Sequence, residues 1–324
     1  MDTIIEVKGL KKYYKGTEAV KGLDLSVHKG EIFGFLGPNG AGKSTTINML
    51  STIIKPSEGH AKINGFDNVK EKNKVRASIG LIFQASTLDE KLTANENLKL
   101  HCKFYGVKKS LREDRIQEVL EIVDLTDKRY KIVETFSGGM KRRLEIARGL
   151  LNYPKVLFLD EPTVGLDPQT RAHLWDYILK LKEKAGITIF LTTHSMEEAE
   201  ICDRVAIMDH GELIALDTPD QLKSKVGGDI IHVSTEANQA AKALIEERYE
   251  AEVTEDGEGL SFRVENGSKL LIDFVKQFDI PIKSVNLRRP TLNDVFLQLA
   301  GREIREENVS TKTSGNRNLA RRGR

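Results

Sequence analysis

Cysteine, long apolar runs and net charge are all scarce in this sequence, and each shortage excludes a class of protein. Its 324 residues include two cysteines, Cys102 and Cys202, which excludes a disulfide framework and leaves no metal-ligand spacing. Apolar runs such as IFGFLG are far shorter than the roughly 20 residues that cross a bilayer. The N-terminus lacks the apolar core of about 7–15 residues found in secretory signals. The sequence therefore predicts a cytosolic protein.

The charges are nearly balanced, with 50 lysines and arginines against 48 aspartates and glutamates and a net charge of +2. This balance gives no basic field of the kind expected for a dedicated duplex-DNA binder, so we expect no nucleic-acid partner. A hydrophobic content of 39% with 30% charged residues fits a soluble globular protein. Because one domain typically has about 100–200 residues, the length predicts two domains.

Continuous apolar runs indicate a buried sheet. EIFGFLG, KVLFLD and ITIFLTT are typical of central parallel strands, and VAIMDHGELIAL predicts a hairpin that turns at His210 and Gly211. Apolar residues at helical spacing predict an amphipathic helix from Leu111 to Val123. Two alternating segments predict half-buried strands: IIEVKGL, which breaks at Gly9, and Leu23 to Val27. Strands and helices in this order predict an α/β architecture.

The pattern weakens near KSKVGGD, where we place a domain boundary. The strands and helices of residues 1–222 then form one domain, and residues 223–301 form a small α+β accessory domain. Residues 302–324 have almost no apolar content and several basic residues, which predicts a disordered basic tail.

The segment GPNGAGKST fits the phosphate-loop pattern and lies between a predicted buried strand and a predicted helix. Glycines let the backbone N–H groups surround phosphates, and the following helix adds its positive N-terminal pole. Lys43 supplies a charge for the β- and γ-phosphates, and the Ser44 hydroxyl is a ligand for Mg²⁺. The predicted nucleotide-binding positions are Gly37, Pro38, Asn39, Gly40, Ala41, Gly42, Lys43, Ser44 and Thr45.

An acidic pair, Asp160 and Glu161, ends the predicted strand VLFLD. Ligands of open α/β sheets bind outside the carboxyl ends of the strands, so both side chains are expected to face the phosphates. Asp160 suits coordination of Mg²⁺, usually through water. Glu161 is placed to polarise a water for attack on the γ-phosphate.

FSGGMKRRLEIAR, from Phe136 to Arg148, resembles the signature helix of the nucleotide-binding subunits of ABC transporters. The resemblance covers residues 1 to about 222. It implies a P-loop NTPase fold with an antiparallel β subdomain and an α-helical subdomain, ATP as the nucleotide, and ATP hydrolysis. In this family the signature segment, here Ser137, Gly138 and Gly139, reaches the γ-phosphate held by the opposite subunit of a homodimer. Phe136 and Met140 stand where the family commonly has Leu and Gln.

The resemblance implies roles for four further residues. Gln84 matches the loop glutamine that links Mg²⁺ and the attacking water to the membrane partner. Asp167 matches the loop aspartate that reaches across the dimer, and His194 matches the switch histidine that contacts the γ-phosphate. Tyr14 matches the aromatic residue that stacks on adenine, with Tyr13 as the alternative. The permease is expected to dock near residues 85–92 and on the helix from Ala94 to Tyr105.

The C-terminal segment RRPTLNDVFLQLAGRE resembles the drug-exporter subunits typified by daunorubicin-resistance proteins. Those subunits work with separately encoded permeases of the ABC-2 type. The resemblance implies efflux of a drug, lipid or other substrate, with the chain held at the cytoplasmic face of the membrane through the permease. A helix that merely packs in a core would also explain the segment.

Two other functions are compatible with a phosphate loop. A soluble ABC ATPase that acts on nucleic acid or ribosomes would share the motifs, but such proteins normally carry two ATPase halves or long coiled coils. A small-molecule kinase would share the phosphate loop and would have no reason to carry the signature helix.

Overall fold

Across the residues that the structure describes there are three β-sheets, two in the unit that ends at Asp217 and one in the unit that begins at Thr218. The computed structural model describes residues 2–256, 259–265 and 267–300. The basic tail expected at residues 302–324 lies outside the described residues. Within the described ranges, no helix combines the length and apolar character needed to span a bilayer.

The first sheet is antiparallel, in the order β2 (Thr17–His28), β1 (Thr3–Tyr14), β4 (Glu58–Ile63) and β5 (Phe66–Asp67). The predicted break at Gly9 is wrong, because β1 continues through it. The register shifts between Val7 and Leu10, and Gly9 has a φ of 52°, so the strand absorbs the glycine as an irregularity. The second predicted strand, Leu23 to Val27, is also longer than expected.

The second sheet has the order β10 (Glu212–Asp217), β9 (Arg204–Asp209), β3 (Ile32–Leu36), β8 (Thr188–Thr193), β7 (Val156–Asp160) and β6 (Ile79–Ile82). Its neighbours are parallel except for the β9–β10 hairpin, which turns at His210 and Gly211 as predicted. Strands β3, β7 and β8 are buried throughout, which confirms the prediction from their apolar runs. Gln84 lies two residues beyond the end of β6. The carboxyl ends of the parallel strands meet at one edge, where ligands of such sheets bind.

Helices cover this sheet and extend the first unit: α1 (Lys43–Leu50), α2 (Lys72–Ser78), α3 (Ala94–Phe104), α4 (Arg112–Ile122), α5 (Gly138–Leu150), α6 (Pro168–Ala185) and α7 (Met196–Glu200). The predicted helices at α3 and α4 are confirmed. A capping box of Thr93 and Glu96 begins α3. In the core of the sheet, the ring of Phe190 lies 5.3–5.5 Å from those of Phe33, Phe35 and Phe158. Each such buried side chain stabilises the fold by about 1.5–3 kcal/mol.

The second unit has the α+β composition expected from the sequence. Its helices are α8 (Pro219–Lys225), α9 (Asn238–Tyr249), α10 (Gly267–Gln277) and α11 (residues 292–300). Its antiparallel sheet has the order β12 (Thr254–Asp256), β13 (Gly259–Val264), β11 (Asp229–Thr235) and β14 (Ile282–Arg288). A separate apolar core, which includes Ile231, Phe262 and Phe274, lies in this unit.

Candidate functional site

Main-chain atoms of neighbouring segments pack closely against the glycine-rich turn between β3 and α1. This close packing explains why two positions of the turn are glycine. A Cβ on Gly37 would lie 2.2 Å from the carbonyl oxygen of Met208. A Cβ on Gly42 would lie 2.5 Å from the carbonyl oxygen of Ala19, and Gly42 has a φ of 102°. Any larger residue at either position would displace the backbone of a neighbouring segment.

Hydrogen bonds between main-chain groups join this turn to both sheets. Gly211, in the β9–β10 turn, donates its N–H to the carbonyl of Ala41 at 3.1 Å. Lys21, on β2, donates its N–H to the carbonyl of Gly211 at 2.9 Å. The turn is therefore fixed to the antiparallel sheet without the use of any side chain.

Lys43, the first residue of α1, points its ammonium group back into the turn. Its side chain is 4% exposed and donates to the carbonyls of Gly37 at 2.8 Å and Pro38 at 3.0 Å. The Nζ atom also lies 3.6 Å from Oε1 of Glu161. Burial lowers the pKa of Lys43, and the nearby Glu161 carboxylate opposes that shift.

Asp160, the last residue of β7, is held between two hydroxyl groups. Its Oδ1 atom accepts hydrogen bonds from Ser44 Oγ at 3.1 Å and from Thr192 Oγ1 at 2.6 Å. The serine of α1 and the aspartate of β7 therefore present oxygen atoms to one point, which is the donor type that Mg²⁺ prefers. Among the described residues, no cluster of three His, Cys, Asp or Glu side chains forms a metal site by itself.

Glu161 lies at the centre of a cluster of polar side chains at the carboxyl ends of the parallel strands. Its Oε2 atom accepts a hydrogen bond from Gln84 Nε2 at 3.2 Å and lies 3.5 Å from His194 Nδ1. Its backbone has a φ of 45°, a left-handed conformation that costs about 1–3 kcal/mol in a residue with a side chain. The structure thus brings together six residues singled out in the sequence: Lys43, Ser44, Gln84, Asp160, Glu161 and His194.

The signature residues form a second group, at the N-termini of two helices. Ser137 precedes α5 and accepts a hydrogen bond at Oγ from the N–H of Met140 at 3.3 Å. Asp167 precedes α6, and its carboxylate accepts from the N–H of Thr170 at 3.0 Å and from the Thr170 hydroxyl at 2.6 Å. These two hydrogen bonds lower the pKa of Asp167.

Thr170 also limits the space at the start of α5. A Cβ on Gly139 would lie 2.2 Å from Thr170 Cγ2, whereas a Cβ on Gly138 would meet only Leu166 Cδ2, at 3.5 Å. The N-termini of α5 and α6 therefore touch at Gly139. A cleft of about 240 Å³ opens beside this contact.

The two candidate tyrosines lie on the antiparallel sheet and belong to neither group. Tyr14 is 45% exposed, and the ammonium group of Lys12 lies 5.2 Å from its ring centroid. Tyr13 is 41% exposed and donates its hydroxyl hydrogen to Glu58 Oε1 at 3.1 Å. Tyr13 is therefore held through its hydroxyl group, whereas the ring of Tyr14 faces the ammonium group of Lys12.

Arg142 is a residue of the site that sequence reasoning missed. Its guanidinium group is buried in α5 and donates to the carbonyls of Phe83 at 2.5 Å, Pro162 at 2.8 Å and Asp160 at 3.2 Å. It also donates to the carbonyl of Glu161 at 3.4 Å and forms an ion pair with Glu145 at 2.8 Å. Burial lowers the pKa of Arg142, and Glu145 opposes that shift. It lies in the run KRR, where only the fold distinguishes the buried basic residue from its neighbours.

Comparison with known proteins gives matches to both units. A family model described as ABC transporter matches residues 20–164, and one described as ATP-binding protein DrrA1-3-like, C-terminal domain matches residues 218–300. The daunorubicin resistance ATP-binding protein DrrA3 of Streptomyces coeruleorubidus is 43% identical over 94% of this chain and 98% of its own length. The linearmycin resistance ATP-binding protein LnrL of Bacillus subtilis is 38% identical over 94% of this chain and 100% of its own. The dimeric post-hydrolysis structure of the ATP-binding cassette MJ0796, bound to ADP and Pi, is 30% identical, has a TM-score of 0.60, and covers 66% of this chain and 98% of that one.

Proposed function

We propose that this chain, which belongs to the family of ABC transporter ATP-binding proteins, uses the cluster around Glu161 to hydrolyse ATP and so drives export of a toxic compound. The chain is an ATPase of that family. The observation that carries the residue assignment is the approach of Lys43, Gln84 and His194 to one carboxylate.

Lys43 and the glycine-rich turn bind the triphosphate. The N-terminus of α1 and the N–H groups of the turn favour negative charge, and the Lys43 ammonium group takes a phosphate oxygen in place of its present carbonyl acceptors. Phosphoryl transfer depends mainly on positioning and on neutralising the phosphate oxygens. Lys43 and the N–H groups of the turn both position the phosphates and neutralise their charge.

Glu161 orients the water that attacks the γ-phosphate and receives its proton. The neighbouring side chains of Gln84 and His194 hold the carboxylate from two directions, at 3.2 Å and 3.5 Å. Groups fixed by hydrogen bonds reach the reactive geometry without reorganisation, which lowers the barrier.

The Ser44 hydroxyl, the Asp160 carboxylate and the Gln84 amide oxygen are the groups that would hold Mg²⁺. The observed convergence of Ser44 Oγ and Asp160 Oδ1, at 3.1 Å, fits a hard cation that takes few protein ligands and completes its shell with phosphate and water oxygens. When bound, this ion neutralises charge on the β- and γ-phosphates.

Two copies of the chain complete each site. Ser137, Gly138 and Gly139 form a second phosphate-binding helix terminus, which would contact the nucleotide held by the other copy, and Asp167 would reach across the same interface. The dimeric arrangement of the MJ0796 cassette supports this proposal. Tyr14 would stack on the adenine.

We further propose that the exported compound leaves through a separate permease of the ABC-2 type. Relatives named for resistance to daunorubicin and to linearmycin support a toxic cargo. The permease would hold the ATPase at the cytoplasmic face of the membrane. Residues 1–222 would supply the ATPase and residues 223–301 an accessory domain.

The variant Glu161→Gln tests the catalytic assignment. Removing the proton acceptor is expected to lower ATP hydrolysis by about 10²–10⁴-fold, because general-base catalysis contributes a factor of that size. ATP binding, measured by calorimetry, should remain. Because the bound ATP is not hydrolysed, the variant should stay dimeric, and light scattering with ATP should detect the dimer. Purification of this ATP-bound dimer from membranes should bring the permease with it.

Glu183→Gln is a matched control, because Glu183 is an exposed residue of α6. It removes one carboxylate and should leave hydrolysis unchanged. Undiminished hydrolysis in Glu161→Gln would remove Glu161 from the catalytic role. RNA or ribosomes in place of a membrane protein in the purified complex would contradict the export function.

A further inference from the structure

A buried carboxylate outside the cluster connects the two loops that carry Glu161 and His194. Glu198, on α7, is 3% exposed. Its Oε1 atom accepts a hydrogen bond from the hydroxyl of Thr163, and its Oε2 atom accepts one from Thr193 Oγ1 at 2.7 Å. An ionised carboxylate only accepts hydrogen bonds, so each of its oxygens fixes the orientation of one hydroxyl group.

The two threonines lie next to the residues that act on the water. Thr163 follows Glu161 by two residues, just after β7, and Thr193 immediately precedes His194 at the end of β8. The N–H of Ser195 donates to Thr193 Oγ1 at 2.9 Å, which fixes the backbone on the far side of His194. Glu198 therefore ties the loop after β7 to the loop after β8.

The backbone of Glu161 needs such a tie. Its φ of 45° is unfavourable for a residue with a side chain, and such conformations persist only where surrounding contacts determine them. On one side, the N–H of Glu161 donates to Thr192 Oγ1 at 3.0 Å. On the other side, the link from Thr163 to Glu198 holds the chain as it leaves the strained residue.

We propose that Glu198 is a positioning residue. Through the hydroxyls of Thr163 and Thr193, it fixes the position of the Glu161 carboxylate relative to the His194 imidazole. This proposal rests on the proposed function, because it assigns Glu198 to the same hydrolytic site. Glu198 touches neither nucleotide nor water in this mechanism. Its loss should lower the rate of hydrolysis and leave ATP binding through Lys43 intact.

Paired substitutions of the threonines separate positioning from packing. Thr163→Val and Thr193→Val keep the shape of each side chain and remove the hydroxyl, whereas Thr163→Ser and Thr193→Ser keep the hydroxyl and remove the methyl group. Each valine variant should lower kcat by about 10–100-fold, the scale that a small misplacement of reacting groups costs. The KM for ATP should change by less than about twofold, because the interaction is lost mainly in the transition state. Each serine variant should recover most of the rate.

Glu198→Gln should also lower kcat, because an amide offers one acceptor oxygen where the carboxylate offers two. Glu197→Gln is the matched control, since Glu197 is an exposed residue of the same helix and its change should leave kcat unaltered. All rates are taken per ATP-binding site counted by calorimetry, so that misfolded protein does not lower them.

Unchanged kcat in both valine variants, or serine variants as slow as the valine variants, would overturn the positioning role. The two proposals fail differently. Full hydrolysis in Glu161→Gln overturns the role of Glu161. A loss of hydrolysis in Glu161→Gln together with normal rates in the Glu198, Thr163 and Thr193 variants overturns only the positioning role.

Discussion

Gly139 and Gly138 adjoin one another at the start of α5, yet they should respond in opposite directions to the same added methyl group. Alanine is favoured over glycine in a helix by about 0.5–1 kcal/mol, so Gly138→Ala should be neutral or stabilising. Gly139→Ala places its Cβ 2.2 Å from Thr170 Cγ2 and should destabilise the fold by about 1–3 kcal/mol. Urea unfolding of both variants measures the difference.

The double variant Gly139→Ala with Thr170→Ser provides the control. Serine lacks the γ-methyl group, so part of the lost stability should return, while the hydroxyl contact with Asp167 is kept. Equal stability losses in Gly138→Ala and Gly139→Ala would show that the contact with Thr170 is not what limits this position.

Individual residues of the site could be predicted where a local sequence motif specifies their chemistry. Lys43, Asp160 and Glu161 follow directly from the phosphate loop and the acidic strand end. Arg142 and Glu198 could not be predicted in this way, because their partners are carbonyl and hydroxyl groups distant in the sequence. In the sequence such a buried charged residue cannot be distinguished from a solvated one, because only the fold shows its hydrogen-bond partners.

At the scale of elements, helix α3 contains a pH-sensitive residue. Burial lowers the pKa of His101 to about 4, and the positive charge of Arg148 adds to that effect. A histidine in the unfolded chain has a pKa near 6.5, so the unfolded state binds more protons between these values. Stability that is fully present above pH 6.5 is therefore lost as the pH falls toward 4.

The variant His101→Gln tests this account. Wild-type protein should lose about 1 kcal/mol more stability than the variant between pH 7 and pH 5, a value that allows for solvent screening of a partly exposed group. Urea midpoints at the two pH values give the comparison. Parallel losses in the two proteins would place the pH dependence on other groups.

Whole elements were predicted better than their ends. The buried strands β3, β7 and β8 follow from continuous apolar runs and helix α4 from apolar residues at helical spacing, because an apolar pattern records which side chains are buried. The predicted break of β1 at Gly9 was wrong, since the pairing of this strand with β2 and β4 on both sides outweighs the local preference of one glycine. Pairing between distant strands leaves no trace in a local pattern.

At the scale of the whole molecule, each of the two units has its own apolar core. A fragment of residues 218–300 should therefore unfold cooperatively on its own, with a stability of a few kcal/mol expected for its size. Residues 1–217 should retain ATP binding without it. Circular dichroism during urea unfolding checks the first expectation, and calorimetry checks the second.

An intact 1–217 fragment that loses ATP binding, or a 218–300 fragment without a cooperative transition, would show that the two cores depend on each other. The sequence predicted two domains from length and from the weakened pattern near Gly227 and Gly228. It could not give the strand order of the second unit, because β11 pairs with β13 and β14 across intervening helices.

Backbone atoms of Ala19, Ala41, Gly42 and Gly211 meet where strand β2 and the β9–β10 turn pack against the glycine-rich turn. Side-chain substitutions leave these contacts unchanged except at the two glycines, because a Cβ on Gly42 or Gly211 would lie 2.5 Å or 3.0 Å from the carbonyl oxygen of Ala19. A change at either glycine would therefore move the glycine-rich turn relative to β2, the strand that pairs with the tyrosine-bearing β1.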